Sequence, residues 1–90
     1  MTETWIDGNG LAGALSDVFC FDVTAAQSVC AACGLHGPFA EVRVYRQAPG
    51  VVARCQGCDA VLLRLVRAGD RAWVELRGLR ALELTVPLDA

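Results

Sequence analysis

No run in this chain approaches the roughly 18 to 20 consecutive apolar residues of a membrane-crossing helix, although 54% of its 90 residues are hydrophobic. The opening MTETWIDGNG has neither a basic n-region nor an apolar h-region, which argues against a secretory signal. A cytoplasmic, reducing setting with no membrane partner is therefore expected. Lysine is missing altogether, which speaks to the base composition of the gene and not to chemistry. All eight basic residues are arginines, and none precedes Arg43. The first 42 residues carry Glu3, Asp7, Asp17, Asp22 and Glu41 with no base, whereas residues 43–80 set the eight arginines against Asp59, Asp70 and Glu75. A net charge of −2 thus conceals a marked polarity along the chain. Repeats and low-complexity stretches are absent. So are a Ser/His/Asp set, a His-plus-acid pair and a phosphate-cradling glycine loop, and an enzyme in its own right is not expected.

What the chain does have is cysteine in a pattern. CAACG (30–34) and CQGCD (55–59) are two CxxC pairs with 21 residues between Cys33 and Cys55. In a reducing compartment such pairs read as metal ligands before disulfides. Each CxxC turn supplies half a tetrahedron of thiolates, and two turns side by side complete it. Cys30, Cys33, Cys55 and Cys58 are therefore the expected ligands of one metal ion, with zinc favoured and a mononuclear, rubredoxin-like iron as the alternative. Four thiolates leave no open coordination position, so the site is expected to be structural. A domain this small has a marginal core, which the binding free energy of the metal supplements. The fifth cysteine, Cys20 between Phe19 and Phe21, reads as a small buried apolar residue, and His36 as an exposed turn residue before Gly37-Pro38.

DGNGLAGALSDVF predicts an N-terminal amphipathic helix, capped by Asp7 or Asn9, with Leu11, Leu15, Val18 and Phe19 at helical spacing. Three glycines weaken it, so its stripe needs a surface to lie on: the sheet, a second copy or another protein. From Phe39 onward the period changes to two. FAEVRVYR (39–46), VVAR (51–54), AVLLRLVR (60–67) and RAWVELR (71–77) read as strands, joined by turns at Ala48-Pro49-Gly50 and Ala68-Gly69-Asp70. Phe21–Ser28 reads as a connector. The tail suggests a helical turn at Leu79–Leu82 and a last edge strand ended by Pro87. The expected architecture is a small α+β fold: helix and connector over residues 1–24, then an antiparallel zinc-ribbon sheet of three to five strands over 25–90, in one compact unit.

DGNGLAGALSDVF, CAACG, VYRQAPGVVARCQGCDAVLLRLV and RGLRALEL together resemble a family of short, uncharacterised actinobacterial proteins with a zinc-ribbon-like pattern. The resemblance implies metal ligation by the four cysteines and no established activity. It also implies a place beside flavin-dependent reductases and molybdopterin oxidoreductases, hence an accessory-subunit role in a redox complex. The leading expectation is a protein-interaction module whose partner is such a subunit or a second copy. It would engage through Leu11, Leu15, Val18 and Phe19 on the helix and Arg43, Tyr45, Arg64 and Trp73 on the sheet. Nucleic-acid binding through the arginines, with Tyr45 and Trp73 as stacking platforms, is the second expectation, and iron-based electron carriage the third.

Overall fold

Strands, not helices, make up most of the regular structure among the described residues. The computed structural model describes residues 5–16, 18–19, 22–47 and 50–86. Among these are the strands β1 (Ile6–Asp7), β2 (Gln27–Cys30), β3 (His36–Pro38), β4 (Arg43–Gln47), β5 (Gly50–Arg54), β6 (Val61–Ala68), β7 (Arg71–Glu75) and β8 (Leu79–Glu83). They form two antiparallel sheets, one in the order β1-β4-β5-β6-β7 and the other β3-β2-β8. The expected hairpin between the two cysteine pairs is present as β4 and β5, with Tyr45 opposite Val52 and Val44 opposite Ala53. The turn after β6 is made by Gly69, whose φ of +60° suits a residue without Cβ. Residues Ala48 and Pro49 of the other predicted turn, Pro87 and Cys20 lie outside the described residues.

Register sorts each strand of the larger sheet into two faces. Val44, Ala53 and Leu63 stand opposite one another across β4, β5 and β6, and all three are buried. With Leu65, Leu15, Val23, Phe39 and Leu62 they form one core, of which Cys30 and Cys55 are also members. Phe39, fully buried, sits in a 3-10 turn (Phe39–Glu41) on the path from β3 to β4, and donates its backbone N–H to the Ala26 carbonyl, extending the β2–β3 pairing, while its side chain joins the shared core.

The N-terminal amphipathic helix does not form, and the α+β assignment is corrected to a small β-rich fold. Residues Gly8–Leu11 make a 3-10 turn, capped by the Asp7 carboxylate on the Asn9 N–H at 3.1 Å. A short helix, α1 (Ala12–Ser16), follows. The cause is partly intrinsic, since glycines at 8, 10 and 13 weaken any helix here. It is also tertiary: Gly8 lies so close to the Phe39 carbonyl that a Cβ would overlap it. The apolar residues of this segment do not form an open stripe. Leu15 is in the core and Phe19 packs against it, while Val18 is exposed and the Leu11 side chain lies outside the described part.

Two further expectations change. Leu79–Leu82 is not a helical turn but part of β8, because β2 offers it a partner, with Ser28 opposite Leu82 and Val29 opposite Ala81. The single ribbon sheet becomes two sheets, since Gln27–Cys30, read as connector, pairs with β3 on one side and β8 on the other. Among the described residues, no helix is long and apolar enough to cross a membrane.

Candidate metal centre

Each cysteine pair begins where a strand ends. Cys30 closes β2 and Cys55 follows β5, and the chain then turns through Ala31–Cys33 and Gln56–Cys58. The two turns are built alike. Gly34 donates its N–H to the Cys30 carbonyl at 2.9 Å, and Cys30 donates to the Leu35 carbonyl at 3.0 Å. In the second turn Asp59 donates to the Cys55 carbonyl at 2.8 Å, and Cys55 to the Ala60 carbonyl at 2.8 Å. Both turns need a left-handed residue after the second cysteine, and φ is +79° at Gly34 and +66° at Asp59. Glycine adopts this freely, and aspartate is among the few residues that tolerate it.

These matched turns bring four sulfurs together. The Sγ atoms of Cys30, Cys33, Cys55 and Cys58 all lie within 4.8 Å of one another. The Cys30–Cys58 and Cys33–Cys55 separations are each 3.7 Å. A tetrahedron with metal–sulfur bonds of about 2.3 Å has edges of about 3.8 Å, so the donor set fits zinc in size and chemistry. The inner cysteines, Cys30 and Cys55, are buried in the core, whereas Cys33 and Cys58 reach the surface. Any ion held here would therefore staple both sheets to the core from one side and meet solvent on the other.

Backbone donors prepare the sulfurs for charge. Cys30 Sγ accepts from the Cys33 N–H at 3.5 Å, and Cys55 Sγ from the Gly57 N–H at 3.3 Å. Gly57 packs near the Cys55 and Cys33 sulfurs, as the close approach of a tight knuckle requires. Burial opposes ionisation of Cys30, but the backbone N–H groups of Cys33 and Ala32 and the Cys58 thiol outweigh it, and the pKa falls to about 7. At Cys58 the Ala60 N–H favours the thiolate, yet desolvation and the three neighbouring sulfurs prevail and push it up to about 12. At Cys33 the Leu35 N–H is likewise overcome by desolvation and the Cys55 and Cys30 sulfurs, and the pKa rises. Four thiols this close cannot all ionise alone; a dication is what lets them.

The remaining expected site residues divide. Arg43, Tyr45, Arg64 and Trp73 share one face of the larger sheet by register, with Tyr45 opposite Val52, Val52 opposite Arg64, and Val66 opposite Trp73. Leu15 and Phe19 do not join them, being packed on the core. His36 lies in β3 and not in a turn; it is exposed, and its Nε2 is 3.8 Å from Glu83 Oε1, away from the sulfur cluster. Two contacts were not anticipated: Arg43 lies 5.2 Å over the Trp5 ring and Arg54 5.8 Å over the Tyr45 ring. The alternation of 43, 45 and 54 carried the face, but no sequence signal linked Trp5 to it.

Neither curated proteins nor solved structures yielded a match to the chain. One family model does match, over residues 1–87, and the chain belongs to that family of unknown function, DUF6510.

Proposed function

We propose that this protein is a zinc-stapled β module whose work is binding, performed by a surface that the metal holds in shape. The observation that carries the reading is the donor set: four sulfurs within 4.8 Å, on two matched turns, two of them inside the core. An ion closed off by four thiolates has no position for substrate, so its contribution is folding free energy and rigidity. An accessory role beside an oxidoreductase asks for the same property, a folded surface without its own turnover. Of the stripe first expected to serve such a partner, Leu15 and Phe19 pack on the core, and what supports a binding role now is the sheet face on which Arg64 and Trp73 are exposed.

The test is metal content by mass spectrometry with a visible spectrum, on untagged protein grown with both metals supplied. One zinc per chain and no colour is the expected result, and metal-free protein that keeps its full stability would sink the reading. Iron is the second reading, favoured by the exposed Cys33 and Cys58 sulfurs, through which electrons could pass. One iron per chain with a reducible, coloured spectrum would replace the structural role with electron transfer.

A further inference from the structure

The larger sheet turns Val44, Ala53, Leu63 and Leu65 to the core; on its other side Tyr45 and Val52 are also buried, while Arg64, Arg71 and Trp73 are exposed. On the outer face, pairing sets Arg43 opposite Arg54, Arg64 opposite Glu75, and Trp73 opposite Val66. Arg71 lies two residues before Trp73 on β7 and so on the same side of the pleat. Like charges placed directly opposite, as at Arg43 and Arg54, cost stability unless something anionic covers them. Here each of those guanidiniums lies over a ring, Trp5 and Tyr45 respectively. Arg64 and Arg71 are exposed and take part in no ion pair in the described structure. Trp73 is 54% exposed and Trp5 48%.

Three of the chain's acids are engaged away from this face. Asp22 caps the turn at Val23–Ala25, Glu41 accepts from Gln56, and Glu83 lies beside His36. On the face itself Asp7, which also caps the Asn9 N–H, stands opposite Arg43, Asp59 lies 3.9 Å from Arg54, and Glu75 stands opposite Arg64, which leaves Arg71 without a facing carboxylate among the described contacts.

We infer that this outer face is a binding site for short single-stranded nucleic acid. The inference rests on the metal-stapled binding module and gives that module a ligand. Phosphates answer the arginines of this face, the exposed Arg64 and Arg71 first and Arg43 beside them, whose planar guanidiniums bind them bidentately. An acidic peptide would also satisfy the arginines, but it offers nothing flat to the exposed indoles, whereas every base does. From β1 to β7 the face spans four strand spacings, about 19 Å, which suits a segment of a few nucleotides.

Fluorescence anisotropy of labelled oligo-dT and oligo-U, titrated with metal-loaded protein at about 50 mM salt, tests this. Binding is expected to weaken with salt at a log–log slope of about −2 to −3, as for three or four phosphates. Arg64→Glu is expected to weaken binding about tenfold, and Trp73→Ala at least about fivefold, with Trp73→Phe restoring most of it. Arg80→Glu, an equal charge change on β8 of the other sheet, is the control and is expected to leave affinity unchanged. Metal content and circular dichroism of each variant establish that it is folded. Failure of the folded, metal-loaded protein to bind would overturn the inference while leaving the metal module standing. Equal losses from Arg80→Glu and Arg64→Glu, or tighter binding of polyglutamate than of either oligonucleotide, would overturn it too.

Discussion

Asp59 and Gly34 occupy equivalent places in the two cysteine turns, and their chemistry differs in a way that can be measured. Both have positive φ, and only glycine adopts it without strain. Gly34→Ala is therefore expected to destabilise the metal-loaded protein by about 1–2 kcal/mol, the cost of a left-handed L-residue. Asp59→Gly is expected to be neutral or stabilising by up to about 1 kcal/mol. The Asp59 carbonyl that accepts from Arg54 at 3.0 Å is retained in glycine, and the side-chain pair at 3.9 Å is solvent-exposed and worth little. Denaturant unfolding of the two variants, side by side, checks both signs. At the ligands themselves, Cys55→Ser is expected to lower zinc affinity more than about 100-fold, since outer-shell partners alone contribute 10–100-fold. Competition with a chromogenic chelator reads that loss directly.

At the scale of elements, the loop between β7 and β8 joins the two cysteine turns. The Gly78 carbonyl accepts from the Ala31 N–H at 2.8 Å, inside the first turn. Its Cα faces the Val61 backbone, just past the second, so closely that a Cβ would overlap the Val61 carbonyl. Gly78→Ala is expected to cost about 1–3 kcal/mol through this overlap and to speed metal loss to a chelator. An unchanged release rate would show that the loop packs on the turns without holding them. Phe39 plays the corresponding part between the sheets, and Phe39→Ala is expected to cost about 3–5 kcal/mol in thermal or denaturant unfolding. These elements were unevenly legible. Strands β4 to β7 could be read because each has five to eight residues rich in β-branched or alternating apolar side chains and turn residues mark the ends of both hairpins. Strands β2 and β3 could not, since four and three residues hold too few periods to separate a strand from a connector.

For the whole molecule, the metal and the fold are expected to be lost together as pH falls. In the metal-free cluster Cys33 and Cys58 hold their protons above the usual thiol range, so metal binding near neutrality displaces them. Affinity is therefore greater at high pH and declines on acidification, by more than about tenfold per pH unit when more than one proton is displaced. Titration calorimetry in buffers of different ionisation enthalpy measures the protons released. The metal-free fold has the opposite slope at high pH. Above pH 9.0 the unfolded chain ionises Cys58, which the folded chain resists until about 12, so stability falls across that window.

By itself the sequence picked out the four cysteines that cluster, the hairpin of β4 and β5 between the two pairs and the polarity of charge. The reason is that knuckle chemistry and strand alternation are local, set by residues within a few positions of one another. Only the tertiary structure decided the rest. A short, glycine-weakened segment became a 3-10 turn and one helical turn because Phe39 stood beside Gly8 and the core took Leu15. Leu79–Glu83 became a strand because β2 presented a free edge. Trp5, far from Arg43 along the chain, came to lie under its guanidinium because β1 paired with β4. Each of these choices depends on a partner distant in sequence, and the free energy that makes it is released only when that partner arrives.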